Sequence, residues 1–234
     1  TTVLWNFRQI TVADLSIDGL QLILPPGEPK NASVSDIVVP PIARVSVPLS
    51  IDIEQLSIRD GVVRQGTVDV VEWNAFDFEG SIRSSILTAR AMSLETGAGR
   101  IAVSGSVEMG GLLDSSLVVE TAWQLADTSI VWTTTIEGDR NEYVVEHVSH
   151  QPVSASVSGR VSAVAARPVS VTLEGEVAAG RLAFVDQTLF WRRLRFDFAG
   201  RLSDWRLSAD ADVAYPEIEF AQLDLMAVGS LDAL

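Results

Sequence analysis

The sequence predicts an all-β chain, and three observations indicate this class. Apolar and polar residues alternate with a period of two, as where Phe76, Phe78 and Ile82 are separated by Asp77 and Glu79. Val, Ile, Thr and aromatic residues dominate these alternating runs, as β-strands prefer. No window combines an apolar stripe of helical spacing with caps at both ends. We therefore expect about a dozen or more strands and no helix.

The alternating runs follow one another along the chain, and short segments rich in Gly, Asp and Asn separate them. The sequence predicts turns at residues 95–99, 137–142 and 177–180. The predicted strands from residue 76 onward are 76–82, 101–109, 117–125, 130–136, 153–161, 169–177, 194–202 and 205–213.

A proline-rich segment divides the chain. Residues 24–48 hold six of the nine prolines, and proline cannot donate to a β-ladder. We expect N-terminal strands over 1–24, a loop or edge excursion over 25–48, and a repetitive β body over 49–234. Because the chain begins and ends within repeat-like sequence, we also expect it to be a segment of a longer protein.

Composition excludes several functions. The 234 residues carry a net charge of −14, so the chain would be repelled by nucleic-acid backbones. There is no cysteine, which excludes disulfides, zinc-thiolate sites and cysteine nucleophiles. The apolar runs are much shorter than the roughly 20 residues of a membrane-spanning helix.

One phrase occurs twice. "FDFEGSIRSSILTARA" at 76–91 and "FDFAGRLSDWRLSADA" at 196–211 share seven of sixteen residues. A glycine in the apolar register recurs in this phrase and in several other runs, at Gly80, Gly105, Gly159, Gly175, Gly200 and Gly229. Each glycine marks either a bulge or bend in the sheet, or a place where the apolar face is kept open for a ligand.

Catalytic and metal sites are not predicted. His147 and His150 are three residues apart, which places them on opposite faces of a strand, and we expect them at the surface. Asp77, Glu79 and Asp197 fall in the polar register, which favours a solvated face over a pair of catalytic carboxylates. No phosphate-binding or nucleophile motif is present. We expect no enzyme activity, no cofactor and no metal.

Four segments resemble the TamB family, whose members are grouped with AsmA-like proteins. They are "WNFRQITVADLSIDGLQLILPP" (5–26), "VSDIVVPPIARVSVPLSIDIEQLSIRDGVV" (34–63), "FDFEGSIRSSILTARAMSLETGAGRIAVSGSVEMG" (76–110) and "WRLSADAD" (205–212). The resemblance implies an elongated β-taco, a long curled sheet with an apolar groove inside and a polar exterior. It also implies a periplasmic protein anchored in the bacterial inner membrane. The implied partners are phospholipid acyl chains, an outer-membrane barrel subunit of the TamA type, and unfolded outer-membrane proteins.

The resemblance thus implies a hydrophobic groove that moves phospholipid between the two membranes, assists outer-membrane protein assembly, or does both. The predicted groove residues are Phe76, Phe78, Ile82, Val103, Val107, Trp123, Trp132, Val157, Val171, Phe196, Phe198, Leu202, Trp205 and Leu207. Burying an acyl chain needs no directed polar group, because each CH₂ contributes about 0.8 kcal/mol. The alternative hypothesis is a structural or adhesive β-solenoid passenger domain without a lipid conduit.

Overall fold

A computed structural model describes residues 2–6, 8–24, 47–66, 68–111, 113–125, 128–163, 167–184, 187–201, 203–215 and 218–229. Fifteen strands occur in these ranges. The first eight are β1 Thr2–Asn6, β2 Gln9–Asp18, β3 Gln21–Leu24, β4 Val47–Gln65, β5 Val68–Ser84, β6 Ile86–Thr96, β7 Gly99–Glu108 and β8 Ser115–Leu125. The others are β9 Thr128–Gly138, β10 Tyr143–Gln151, β11 Ala155–Ser162, β12 Ser170–Phe184, β13 Gln187–Arg201, β14 Asp204–Tyr215 and β15 Ile218–Gly229.

The all-β prediction is confirmed. Strands make up all the regular structure, and the described part of the chain has no helix long and apolar enough to cross a membrane. Each alternating run from residue 76 onward falls largely within one strand. The proline-rich segment lies outside the described residues, except that Val47 and Pro48 begin β4.

The turn predicted at 177–180 is wrong, because β12 continues through these residues to Phe184. The structural reason lies on the neighbouring strand. The ring of Trp191 packs against Gly180, and its Nε1 donates a 2.7 Å hydrogen bond to the carbonyl of Ala178. Ala178 and Gly180, which resemble part of a turn in the sequence, instead contact the Trp191 side chain of β13. The turns predicted at 95–99 and 137–142 are confirmed, because they join β6 to β7 and β9 to β10.

The described chain divides into two units, with the boundary between Val131 and Trp132 inside β9. In the first unit the hydrogen-bonded order is β1-β2-β4-β5-β6-β7-β8, and β3 also pairs with β4. The strands β2 and β3 both run parallel to β4 and meet at Gly19, whose φ is +69°. The pairs from β4 to β8 are antiparallel.

In the second unit the strands β10 to β15 pair in sequence order, and every pair is antiparallel. Of the described strands, only β2 pairs with β1 and only β14 with β15, so both keep an open edge. A sheet whose strands follow the order of the sequence and whose edges stay open has the topology of a β-taco.

Each copy of the repeated phrase forms a β-hairpin, although the two registers differ. The first copy spans the end of β5 and the start of β6, and Gly80 there pairs with Ala89. The second spans β13 and β14, and Gly200 pairs with Trp205. The register of β6 shifts between Ala89 and Met92, where an extra residue forms a β-bulge. The two Phe positions keep a common face in both copies, but the last position of the phrase does not, because Ala91 pairs with Glu79 whereas Ala211 pairs with Leu194.

Few large side chains are fully buried. Among the described residues, the buried apolar side chains are Trp73, Ala75 and Ala211. Most other apolar side chains described on the strands are half-buried or exposed, so they stay partly accessible.

Candidate functional site

The first unit carries continuous apolar rows on one face of its sheet. A residue and its register partners on successive strands point to the same side, so they form a row across the sheet. One row is Ile58–Phe76–Leu94–Ile101, a second is Leu56–Phe78–Met92–Val103–Val119, and a third is Ile51–Ile82–Leu87–Val107. We call this side of each unit the apolar face and the opposite side the polar face.

The second unit has the same arrangement. Its apolar rows are Val145–Gly159–Leu173–Phe198–Leu207–Ala227, His147–Val157–Gly175–Phe196–Ala209–Leu225 and Tyr143–Val161–Val171–Gly200–Trp205–Gly229. On the polar face, the row that lies between the first two apolar rows is Glu146–Ser158–Glu174–Asp197–Ser208–Met226. On the edge strand β15 both faces are accessible. Leu223 and Leu225 on the apolar face are each 53% exposed, and Met226 and Val228 on the polar face are 73% and 69% exposed.

The structure places thirteen of the fourteen predicted groove residues on these faces, and Leu202 lies outside the described residues. Trp123 continues the apolar face of the first unit, because it lies two residues beyond Thr121, the partner of Ile101. Trp132 contacts His147 in the second unit, with ring centroids 6.0 Å apart. Trp205 stacks on Phe198 at a centroid distance of 6.3 Å. Sharing a face does not itself assign a ligand to these residues.

At Gly175 and Gly229 on this face, the missing side chain does not leave empty space. The ring of Phe196 occupies the space that a Cβ would need at Gly175, and the indole of Trp205 does the same at Gly229. The prediction that glycine clears space for a ligand is therefore wrong at these two positions, because the protein's own ring fills the space. At Gly200 a φ of +147° supports the other interpretation, a local distortion of the strand.

Ion pairs cover the polar face. Asp77 accepts hydrogen bonds from Ser57 Oγ at 2.7 Å and from the Arg59 guanidinium at 2.9 and 3.1 Å. The Ser57 hydrogen bond, followed by the Arg59 hydrogen bonds, lowers the pKa of Asp77. Arg195 pairs with Glu176 at 3.1 Å in the second unit. These carboxylates are bound to cationic side chains across strands, which agrees with a solvated structural face.

Two cavities lie over the polar face. One of about 480 Å³ in the first unit is lined mostly by polar-face residues, including Glu79, Arg90 and Glu120. Another of about 590 Å³ in the second unit is lined mostly by the same class, including Glu174 and Arg195. No group of three or more potential metal ligands is found among the described residues. Polar-face residues predominate in both linings, although the predicted groove residues Phe78 and Val103 contribute to the first and Val157 and Phe196 to the second.

The two histidines lie on opposite faces, as their spacing predicts, but His147 is not a surface residue. It is half-buried on the apolar face beside Trp132, and its Nδ1 lies 2.9 Å from Thr134 Oγ1. His150 is exposed and its Nε2 lies 3.5 Å from Thr133 Oγ1. The alternation of β10 contained this signal, because His147 falls in the same register as Val145.

Several residues of the apolar face were missed by the sequence analysis. The rows also include Ile58, Leu94, Met92 and Leu173. The β-bulge of β6 hides part of this pattern, since Ala89 and Met92 share a face although they are three residues apart. On β12 the ordinary alternation would have been sufficient to find Leu173, whereas on β4 a register shift between Ile53 and Leu56 interrupts it.

Comparison with known proteins agrees with this architecture. No curated protein and no solved structure gives a significant match. However, a protein family described as "TamB, N-terminal domain" matches residues 1–234, which is the whole chain. The chain therefore belongs to the TamB family.

Proposed function

We propose that the apolar face is a binding surface for phospholipid acyl chains within a periplasmic bridge between the inner and outer membranes. The observation that carries this proposal is the register of the large apolar residues. Phe76, Phe78 and Val103 in one unit, and Phe196 and Phe198 in the other, share one face with their row partners.

The exposure of this face supports the same function. A sheet with one apolar side must cover that side with protein or with another apolar partner. Among the described residues only Trp73, Ala75 and Ala211 are buried apolar side chains, and none of the five residues above is fully covered. Acyl chains would complete the burial, at about 0.8 kcal/mol for each CH₂ removed from water.

Membership of the TamB family supports the location and the partners of the proposal. The chain would act as part of an envelope-spanning protein anchored in the inner membrane, together with an outer-membrane barrel subunit of the TamA type. Its cargo would be phospholipid, with assistance to outer-membrane protein assembly as a second role of the same surface. The chain would carry out no chemical reaction.

The alternative, an adhesive β-solenoid, receives less support from the strands. A solenoid stacks repeats of similar size against their neighbours. Here the strands range from 4 residues in β3 to 19 in β4, and the pairs from β4 to β8 and from β10 to β15 are antiparallel.

A pair of matched variants tests the proposal. Phe198→Lys places a charge on the apolar face, whereas Ala199→Lys places the same charge on the neighbouring position of the polar face. We expect the first to lower the affinity for a fluorescent phospholipid at least tenfold and the second to leave it unchanged. Both should keep the β-rich circular dichroism spectrum, because a lysine can extend its charge to water. Equal binding by both variants would contradict the proposal.

A further inference from the structure

The apolar face of the second unit contains one side chain that can change its charge near neutral pH. The three rows described above hold two titratable side chains, His147 and Tyr143. Tyrosine is neutral in this range, whereas histidine changes its charge between about pH 5 and 8. Glu146 and His150, its charged neighbours in sequence, lie on the opposite face.

The surroundings of His147 favour a neutral imidazole when an apolar ligand is present. On β9 it contacts Trp132 and Thr134, and on β11 its register partner is Val157. The next residues of β11 on this face are Ala155 and Gly159, which carry no charge. A cation at this position would lose water without gaining an ionic partner if an acyl chain covered it.

We propose that His147 makes acyl-chain binding to this face pH-dependent, with strong binding when the imidazole is neutral and release when it is protonated. This inference rests on the proposed function. Its direction follows from linkage, because a ligand that binds only the neutral form must weaken as the pH falls and the histidine gains a proton.

The test uses diphenylhexatriene, a fluorescent hydrocarbon with no titratable group. For the 234-residue chain we expect its affinity to fall roughly tenfold between about pH 7.5 and 5.5. His147→Gln, which keeps a hydrogen-bonding group opposite Thr134, should bind with similar affinity at both pH values. His147→Phe should do the same, and it provides a second variant if the glutamine disturbs folding. His150→Gln is the matched control and should keep the tenfold fall.

The outcomes separate the two proposals. If the unmodified chain does not bind the probe even at about pH 7.5, both the proposed function and this inference are overturned. If the chain binds the probe, but with the same pH dependence in the His147→Gln variant, the inference alone is overturned. Circular dichroism at both pH values shows whether each variant is folded when binding is measured.

Discussion

The ring of Phe196 on β13 covers Gly175, its register partner on β12. This relationship joins two features of the apolar face, namely its large aromatic side chains and the glycines that recur between them. A strand glycine leaves a gap beside its own backbone, and an aromatic ring from the adjacent strand fills that gap. The same arrangement occurs between Trp205 and Gly229. The glycines therefore specify where aromatic rings lie on the sheet.

Gly175→Ala should destabilise the fold. The added methyl group would displace the Phe196 ring, and such overpacking costs about 1–3 kcal/mol. Alanine also reduces the conformational freedom of the unfolded chain, which offsets about 0.4–1 kcal/mol of this cost. We expect a net loss of about 1 kcal/mol in the free energy of unfolding, measured by urea denaturation. Gly97→Ala is the control, because a Cβ at Gly97 meets nothing within 4 Å. It should raise the free energy of unfolding by about 0.4–1 kcal/mol, since only the restriction of the unfolded chain remains. Equal stability of the two variants would contradict this account.

Asp77 should stabilise the fold only when it is ionised. Its folded-state pKa lies below the ordinary value of 3.8, so its contribution is present above that pH and is lost as the pH falls towards the lowered value. Because the Arg59 and Asp77 side chains are each 42% exposed, solvent screens the pair. We expect Asp77→Asn to cost less than about 1 kcal/mol at neutral pH. The difference should shrink as the pH falls below 3.8 and disappear below the lowered folded-state pKa.

Asp197 provides the control for this prediction. It occupies the position of Asp77 in the second copy of the repeated phrase, and the described residues give it no ion pair or hydrogen-bond partner. Asp197→Asn should leave the free energy of unfolding unchanged at every pH. A pH-independent cost for Asp77→Asn would show that its charge is not the stabilising feature.

Arg90 should stabilise the β-bulge of β6. Its Nε pairs with Glu79 at 2.7 Å, and its Nη atoms bind Asp52 at 3.1 Å and the carbonyl of Ile53 at 3.2 Å. The side chain thus links β6 to β5 and β4. We expect Arg90→Ala to lower the urea midpoint, and the loss to shrink in about 1 M salt, where charges are screened within about 3 Å. Arg90→Lys should lower the urea midpoint less than Arg90→Ala does, but should not keep it unchanged, since lysine lacks the planar guanidinium group.

The control is Arg206→Ala on the polar face of β14, where Arg206 pairs in register with Ala199 and Val228. This variant should leave the midpoint unchanged. A similar loss in both variants would mean that any positively charged side chain stabilises the acidic chain. The specific contacts of Arg90 would then not be the cause.

The sequence was sufficient for features that depend on local periodicity. Alternation places Phe196 and Phe198 on one face whatever the strand pairs with, because successive side chains point to opposite sides. Register across strands is not a local property. The contact between Trp191 and Gly180, which extends β12 through a predicted turn, depends on how β13 aligns with β12. For the same reason the ring over Gly175 could not be predicted.

The candidate site was predictable to a similar extent. The period of two identifies the residues of the apolar face, except where register shifts interrupt it, as near Arg90 on β6 and between Ile53 and Leu56 on β4. The alternation of β10 places His147 on the apolar face, whereas its contacts with Trp132 and Thr134 of the adjacent strand required the structure. The bound partner is not encoded in the alternation at all, because any apolar ligand satisfies the same pattern.

Photo-crosslinking at Val103 tests the central proposal most directly. A photoreactive amino acid placed there, in the protein in its own cells, would label whatever contacts the apolar face of the first unit. The same residue at Ser104 is the control, because Ser104 pairs with Val118 on the polar face. The account predicts phospholipid adducts, identified by mass spectrometry, at Val103 and none at Ser104. Adducts at Val103 only to peptides of the same chain would contradict it, since this face would then be an ordinary packed core.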